Sequence, residues 1–306
     1  MKRKVIQIAE STQLVSLPRK WAVQYGIKKG DELEVEEQGN RIMVSTERGL
    51  QTEILQLDVS HFELMIPRCI HALYKRGVDE LKLTFQNEAQ LAAIQKSLGK
   101  ETVGFEIIEQ GPNYCVVKNV SGDLEEFDQV LRRTFLLLIT MADEGLRALK
   151  EKNSAAFTNI IPLEESNNRF TTTCRRFLNK RGYQKFPKVG PVYFIVEGLE
   201  KLADQYKYLY QYIETLDLKK TKIHERTIKY FEQTNEMLRL FYTVYYKFDS
   251  DKIAALGAMR KALVKEWYTL YKAAGKNTPD LIILHNLIIL VQEIFNYVGP
   301  YLVTAL

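Results

Sequence analysis

Apolar and polar residues alternate through the first 47 residues in the manner of short β-strands. Pro18 and Gly26 are predicted to begin and end one short helix of about nine residues, and Gly39-Asn40 is predicted to form a turn. The strands are predicted around these apolar residues: Val5, Ile6, Ile8, Leu14, Val15, Leu17, Leu33, Val35, Ile42 and Val44. So small a unit buries little surface, and we expect a second copy of the chain to complete its core.

Residues 50–121 follow a different pattern, which predicts a small α/β unit with the order β-α-β-α-β-β. Gly77 and Gly99 are predicted to end its two helices. Strands are predicted over 54–59, 80–85, 103–109 and 114–120, and helices over 62–76 and 88–98. This region of the sequence has no glycine-rich phosphate loop and no cluster of catalytic polar residues, so its sequence does not indicate a role.

From residue 122 to the end, apolar residues recur three and four positions apart, which is typical of helices. Breaks near residues 152, 182–190, 216–220, 248–250 and 275–279 predict six helices of roughly 25 residues, enough for a long bundle. Asn153-Ser154 and Asp249-Ser250 start similar segments, so we interpret the region as two three-helix repeats, 122–216 and 219–306. The predicted fold class is therefore multidomain α+β, with domains at 1–47, 50–121 and 122–306.

The amino-acid composition excludes several classes of protein for this chain. The 306 residues are 46% hydrophobic and 26% charged, which is ordinary for globular domains. The three cysteines are widely spaced, which argues against a disulfide framework or a zinc finger and favours the reducing cytoplasm. The amino terminus has no apolar core typical of a secretion signal, and the longest apolar stretch, 281–291, is shorter than the roughly 20 residues of a membrane span. We expect a cytoplasmic protein without a membrane span.

Charge is distributed unevenly along the amino-terminal region. Residues 1–30 contain seven Lys or Arg against one acidic residue, whereas residues 31–49 contain six acidic residues against two arginines. A folded unit with one positive end is suited to steering a polyanion. The alternative is that these cations form an ordinary solvated face.

The segment RKVIQI…STQLVSLPRKWAVQYGIKKGDELEVEEQGNRIMVS, residues 2–46, resembles the AbrB/SpoVT-type DNA-binding domain. The resemblance implies a swapped-hairpin β-barrel formed by an obligate homodimer that binds DNA. It places the expected DNA contacts at these basic residues: Lys2, Arg3, Lys4, Arg19 and Lys20. The sequence departs from the family at Thr12-Gln13 and Ala22-Val23, where members often carry arginines, so the fold is better indicated than the contacts.

Two acidic motifs lie on predicted helices of the first repeat. Glu200 and Asp204 share one helix face, as do Glu164 and Asn168, and two such faces that meet need a cation or protons. An ordinary solvated acidic face is the alternative. Glu164-Glu165-Ser166-Asn167-Asn168-Arg169 and Leu199-Glu200-Lys201-Leu202-Ala203-Asp204 resemble motifs of PhoU, the regulator of phosphate uptake, which is built from two three-helix repeats.

The PhoU resemblance implies a metal site in the first repeat, with iron or zinc bound by Glu164, Glu165, Asn168, Glu200 and Asp204. Such oxygen donors would equally suit Mg²⁺. In the second repeat the corresponding positions are Gln292 and Asn296, and Arg260-Lys261 replace the first acidic pair, so we expect no metal there. An AbrB-type domain joined to a PhoU-type bundle is an arrangement of archaeal regulators.

The sequence thus favours a DNA-binding transcription regulator of phosphate uptake or homeostasis. The alternative is an adaptor that contacts a phosphate transporter or signalling kinase and uses its amino-terminal domain only to dimerise. We expect no enzymatic activity, because no nucleophile–base arrangement is present. The many tyrosines of the bundle, together with Cys174 and His285, are interpreted as core residues rather than ligands.

Overall fold

The computed structural model describes residues 2–8, 11–38, 40–46, 52–121, 126–183 and 186–306. The chain forms two compact units, an amino-terminal unit over 1–51 and a carboxy-terminal unit over 52–306. The predicted turn at Gly39 and the predicted domain boundaries at 47–50 and 122 lie outside the described residues.

The amino-terminal unit consists of two separate hairpins around one helix. Its elements are β1 (Ile6–Ile8), β2 (Thr12–Leu14), α1 (Arg19–Gln24), β3 (Glu34–Gln38) and β4 (Arg41–Ser45). Strand β1 pairs with β2 and β3 with β4, both antiparallel, and the two pairs form separate sheets. Helix α1 spans six residues, fewer than predicted, because the chain has left helical geometry at Tyr25 before the positive φ of Gly26.

No described side chain of the amino-terminal unit is fully buried. Ile6 and Ile8 lie on one face of β1, and Leu14 stands opposite Ile6 across the hairpin. The large apolar side chains that remain exposed in the single chain are Val5, Ile6, Ile8, Leu14, Val15, Val23, Val35, Ile42 and Met43. The described residues of this unit therefore form no buried core of their own, as expected for so short a folding unit.

The first part of the carboxy-terminal unit is the predicted α/β arrangement. Its elements are β5 (Ile54–Asp58), α2 (Ile66–Arg76), β6 (Glu80–Thr84), α3 (Glu88–Ser97), β7 (Phe105–Gln110) and β8 (Tyr114–Asn119). They form a four-stranded sheet of order β5-β6-β8-β7, in which only β5 and β6 are parallel. Gly77, at a φ of 109°, ends α2, and the Asn87 side chain accepts a hydrogen bond from the Gln90 N–H at the start of α3. The predicted β-α-β-α-β-β order is confirmed.

The rest of the carboxy-terminal unit is helical. Its helices are α4 (Phe127–Lys150), α5 (Phe157–Ile160), α6 (Leu163–Arg181), α7 (Phe186–Glu214), α8 (Glu225–Tyr246), α9 (Ser250–Ala274), α10 (Thr278–Asn296) and α11 (Val298–Ala305). Helices α4, α6 and α7 contact one another, and so do α8, α9 and α10, while α4–α8 and α7–α10 contacts join the two groups. The predicted two groups of three long helices are confirmed, with α5 and α11 as short additions.

Aromatic side chains fill the centre of this bundle. The interpretation of its tyrosines as core residues holds for some of them and not for others. Tyr206 and Tyr210 are fully buried, whereas Tyr208 and Tyr268 are more than half exposed. The Tyr210 hydroxyl donates to the Met141 carbonyl at 2.9 Å, and its ring packs so close to Gly145 that a Cβ there would clash. Cys174 is buried as expected; His285 is exposed on α10, so its interpretation as a core residue is wrong.

Among the described residues, one continuous apolar stretch has the length and composition of a membrane span. Residues 281–291 alone are too short for a span, so this longer stretch differs from the expectation based on them. It runs from Thr278 to Ala305 through α10 and α11, and half of its most apolar window is buried inside the bundle. Ile283, Leu287 and Ile294 of this stretch belong to the hydrophobic core. Core helices of globular proteins share this composition, so the stretch is explained by its packing.

The α/β part and the helical bundle are joined where α2 packs against α6. Arg176 of α6 is fully buried and donates hydrogen bonds to the carbonyls of Tyr74 at 2.9 Å and Val78 at 2.7 Å. The same guanidinium pairs with Asp79 at 2.6 Å, and Lys180 reaches Asp79 at 2.5 Å. We call this contact, formed by Tyr74, Val78, Asp79, Arg176 and Lys180, the α2–α6 joint. It fixes the α/β part to the bundle through paired charges.

We predict that Arg176→Met lowers the free energy of unfolding by about 3–5 kcal/mol, because it leaves the carbonyls of Tyr74 and Val78 without their donor and Asp79 with only Lys180 as its cation. Urea denaturation followed by circular dichroism measures the loss. Arg226→Met is the matched control, since Arg226 is exposed on α8 and we expect a change within about 0.5 kcal/mol. Equal unfolding midpoints for the two variants would show that the α2–α6 joint does not stabilise the unit.

Candidate functional site

The predicted DNA-contacting residues are all exposed on the amino-terminal unit. Lys2, Arg3 and Lys4 precede β1, and Arg19 and Lys20 are the first two residues of α1. None of these five side chains forms an ion pair with another described residue. Their charges are therefore available to an external anion such as a phosphate backbone.

The predicted acidic motifs of the first repeat come together at the packing surface of α6 and α7. Glu164 of α6 and Asp204 of α7 both pair with the Lys207 ammonium, at 2.9 Å and 2.6 Å. The Asn168 side-chain amide donates to Glu164 Oε1 at 2.5 Å. We call this group of Glu164, Asn168, Asp204 and Lys207 the Lys207 cluster. Glu164 is 5% exposed, so its charge is largely removed from water.

The other acidic residue of the second motif, Glu200, lies in a separate group that we call the Arg175 cluster. Glu200 accepts hydrogen bonds from Thr171 at 2.9 Å and from the fully buried Arg175 guanidinium. Arg175 also pairs with Glu197, one turn earlier on α7. The Arg175 cluster of Thr171, Arg175, Glu197 and Glu200 thus shares one guanidinium between two carboxylates, and the Thr171 hydroxyl adds a neutral hydrogen bond.

Glu165 does not join either cluster. Its side chain is about half exposed and lies 3.7 Å from the ammonium of Lys100, which follows α3 in the α/β part. The structure therefore brings Glu164, Asn168 and Asp204 together, places Glu200 with Arg175, and leaves Glu165 at the surface.

Burial and neighbouring charges compete within the Lys207 cluster. Burial raises the pKa of Glu164 above its ordinary value, because the loss of hydration outweighs the attraction of Lys207. The nearby carboxyl of Asp204 adds to this rise. For Lys207 burial acts in the opposite direction, but hydrogen bonds to Asp204 and Glu164 outweigh it and raise its pKa. The cluster thus holds a fully charged ammonium between two carboxyl groups, one of which takes up a proton more readily than usual.

The arrangement does not fit the metal site that the PhoU resemblance implies. Across the described part of the chain, no three His, Cys, Asp or Glu side chains are grouped closely enough to hold a metal ion. Glu164 and Asp204 share the ammonium of Lys207, and Glu200 shares the guanidinium of Arg175 with Glu197. Metal binding by the predicted ligands Glu164, Glu165, Asn168, Glu200 and Asp204 therefore has no support in this geometry, because the chain supplies the positive charge itself.

The corresponding positions of the second repeat are at the surface. Gln292 and Asn296 are exposed on α10, and Arg260 and Lys261 are exposed on α9. The Arg260 guanidinium lies over the ring of Phe295, 5.2 Å from its centre. Neutral amides and cations in these places give a metal no anionic ligand.

Sequence reasoning missed the cations that determine both clusters. Arg175 lies on α6, and the carboxylates it contacts, Glu197 and Glu200, lie on α7. Lys207 follows Asp204 by three positions, so it lies on the helix face of the acidic motif that it contacts. This spacing was available in the sequence. The pairing of Arg176 with Asp79 was not, since 97 residues separate the two.

Comparisons with known proteins give a family model for the amino-terminal unit and solved structures of similar fold. Residues 6–51 match the family model described as "Antidote-toxin recognition MazE, bacterial antitoxin". This match confirms an amino-terminal domain of the MazE/AbrB type, and it includes Arg19 and Lys20. No curated protein matches the chain.

Two solved structures are similar to the chain in fold. PhoU from Pseudomonas aeruginosa gives a TM-score of 0.48 at 13% sequence identity, covering 57% of this chain and 93% of that chain. The phosphate transport system regulatory protein PhoU from Streptococcus pneumoniae gives 0.47 at 19% identity, covering 58% and 93%. These similarities concern the fold, and the properties of the two clusters rest on the contacts described above.

The raised pKa of Glu164 predicts a pH dependence. The folded state binds the Glu164 proton more tightly than the unfolded state, so the stability from this protonation is complete below the ordinary value of 4.5 and is lost as pH rises through the folded pKa. We therefore consider the free energy of unfolding of the unmodified protein minus that of Glu164→Gln. This difference is expected to become more positive as pH falls from 7 towards 4.5. Urea denaturation at several pH values measures it. If this difference instead became more negative as pH falls from 7 to 4.5, the raised pKa of Glu164 would be contradicted.

Proposed function

We propose that the protein is a dimeric, DNA-binding transcription regulator of the cytoplasm whose helical unit makes contacts related to phosphate uptake or homeostasis. The observation that carries the proposal is the amino-terminal unit. Among its described residues it has no buried side chain, exposes an apolar face, and presents cations that form no ion pair with another described residue.

The apolar face supports the homodimer. Ile6, Ile8 and Leu14 are each about half exposed and share one face of the first hairpin. Val35 and Ile42 do the same on the second hairpin, at more than 60% exposure. Two copies that exchange these hairpins bury both faces and gain the hydrophobic free energy that one copy lacks.

We predict that Ile8→Asp converts the dimer to a monomer, because a carboxylate in the shared core costs several kcal/mol. Light scattering after size-exclusion chromatography measures the mass against the 35.6 kDa of one chain. Gln13→Asp is the matched control, since Gln13 stands opposite Gln7 on the other face of the same hairpin. A monomeric mass for the unmodified protein would exclude the dimer.

The unpaired cations support DNA as the partner. We predict that changing Arg3, Lys4, Arg19 and Lys20 to Ala abolishes binding to duplex DNA at moderate salt while leaving the dimer intact. The unmodified protein should lose affinity steeply with salt, by a log–log slope of about −0.9 for each phosphate contact. Fluorescence anisotropy with genomic duplexes measures both effects.

The control for the DNA experiment removes the same charge elsewhere. Lys219, Lys222, Arg226 and Lys229 are exposed on the helical unit at and before the start of α8, and their replacement by Ala should leave DNA binding unchanged. If both quadruple variants lose binding equally, the attraction comes from net charge. If the unmodified dimer binds no duplex at low salt, the regulator is excluded.

The second candidate is the adaptor, in which the amino-terminal unit serves only for dimerisation and the helical unit contacts a phosphate transporter or signalling kinase. The exposed apolar face supports it equally, because that face requires a second copy but not DNA. The phosphate connection in both candidates rests on the resemblance of the two acidic motifs to PhoU. We infer no catalytic role, since the titratable groups of both clusters are bound to one another.

A further inference from the structure

We propose that the outer face of α9 is a docking surface for an acidic protein partner, and that it binds a helix end beside a carboxylate, as α6 binds the end of α2. We call this surface, on α9 and the turn after it, the α9 face; its residues are Lys261, Lys265, Tyr268, Lys272 and Lys276. The proposal deepens the contact role proposed for the helical unit, on which it rests, and it is independent of DNA binding by the amino-terminal unit.

The first argument is that α6 and α9 occupy equivalent places in the two repeats. We align the repeats by the similar segments that precede these helices. Cys174 of α6 then corresponds to Leu270 of α9, and both side chains are buried. One turn later Leu178 corresponds to Ala274, and both are again buried. The two helices therefore turn the same positions towards the core.

The second argument is that the cations of the α2–α6 joint have counterparts on α9. In the same alignment Lys272 corresponds to Arg176, and Lys276 corresponds to Lys180. On α6 these two cations face away from the bundle and pair with Asp79 of the α/β part. The second repeat thus carries positive charge at the positions through which the first repeat holds its neighbour.

The third argument is that the neighbour is missing on α9. Helix α6 packs against α4, α7 and α2, whereas α9 packs against α8 and α10, and no third element of the described chain covers α9 to a comparable extent. Thr172 and Arg176 of α6 are fully buried. Their counterparts on α9 are open to solvent, since Tyr268 is 60% exposed and Lys272 is also exposed. The place that α2 takes on α6 is therefore uncovered on α9.

The α9 face carries a positive charge that the described chain does not balance. Residues 260–276 contain five Lys or Arg against one acidic residue. None of the four lysines of the α9 face forms an ion pair with another described residue. Lys261 and Lys265 are four positions apart on one helix face, so their ammonium groups repel one another. A partner with negative charge would remove this repulsion and be attracted by the face.

Two tyrosines give this side of α9 an apolar part. Tyr268 and Tyr271 are 60% and 42% exposed, and their ring centres lie 5.0 Å and 4.8 Å from that of Trp267. The Trp267 Nε1–H donates to the Leu284 carbonyl of α10 at 3.0 Å, which fixes the aromatic group to the bundle. Aromatic side chains that are exposed but held in place are typical anchors of protein interfaces.

The α2–α6 joint indicates what such a face binds. Arg176 donates to the carbonyls of Tyr74 and Val78 at the end of α2, beside the carboxylate of Asp79. The last carbonyls of a helix have no partner within the helix and give that end a negative potential. The expected partner of the α9 face is therefore a protein surface on which a helix ends beside an Asp or Glu.

Site-specific photocrosslinking in the cells from which the protein comes tests the proposal. Tyr268 is replaced by the photoreactive amino acid p-benzoylphenylalanine in the full-length chain. We expect a covalent adduct with another protein, and the crosslinked peptide should contain Asp or Glu. Changing Lys272 and Lys276 to Glu should reduce the adduct at least about tenfold, because two attractions become repulsions. Changing the acidic residues of the partner to Lys should restore it.

Two controls separate the α9 face from the rest of the surface. Tyr208 is 54% exposed on α7, and the photoreactive amino acid placed there should not give this adduct. Lys219→Glu with Lys222→Glu changes the charge equally at exposed positions before α8 and should leave the adduct unchanged. The proposal is overturned by no adduct at position 268, by an adduct with lipid or nucleic acid, or by an adduct that survives Lys272→Glu with Lys276→Glu.

DNA binding distinguishes this proposal from the regulator on which the previous section rests. Lys272→Glu with Lys276→Glu should bind duplex DNA as the unmodified protein does, because the changes lie outside the amino-terminal unit. If this variant loses duplex binding together with the adduct, the α9 face binds DNA and the proposal is overturned. If the unmodified protein binds no duplex but forms the charge-dependent adduct, the docking surface is supported while the DNA-binding regulator is excluded.

Discussion

The carboxy-terminal unit depends on the pairing of buried charges along one helix. Helix α6 is packed on two sides, by α7 of the bundle and by α2 of the α/β part, and it carries charged residues towards both. Arg175 and Arg176 are neighbours in sequence and both are fully buried, yet the first pairs with carboxylates of α7 and the second with Asp79 of the α/β part. Because an unpaired buried charge is costly, each arginine requires its partner to be present. The helix can therefore pack only where both sets of partners are in place.

These buried ion pairs hold the α/β part against the helical bundle. Lys180 and Asn179 extend the α2–α6 joint by further hydrogen bonds to Asp79 and to the Lys75 carbonyl. A change in the charge balance at Glu200 would act on Arg175, one residue from the anchor of the joint. Arg175 pairs with Glu200 of the acidic motif, and Arg176 pairs with Asp79 of the α/β part. The two contacts are thus made by adjacent residues of helix α6.

The two units differ in how far they bury their apolar side chains. In the carboxy-terminal unit, about 250 residues are enough to bury one continuous helical core and a second core under the sheet. The amino-terminal unit has short strands and a helix of six residues, and its apolar side chains stay exposed in the single chain. In the proposed homodimer a second copy covers these side chains, which links the proposed DNA binding to the presence of two copies.

The sequence by itself determined the order of elements in all three regions, since apolar periodicity and glycine stops such as Gly77 act within a few residues. It also determined that Glu164 and Asn168, and Glu200 and Asp204, share helix faces. Only the tertiary structure decided that Glu164 and Asp204 meet at Lys207, that Glu200 pairs with Arg175, and that Glu165 lies at the surface. Helical spacing fixes which side chains share a face, but the packing of α6 against α7 and α2 fixes which faces meet. The free energy of a buried charge depends on that meeting, so the choice between a metal and a lysine as the cation could not be made from the motif alone.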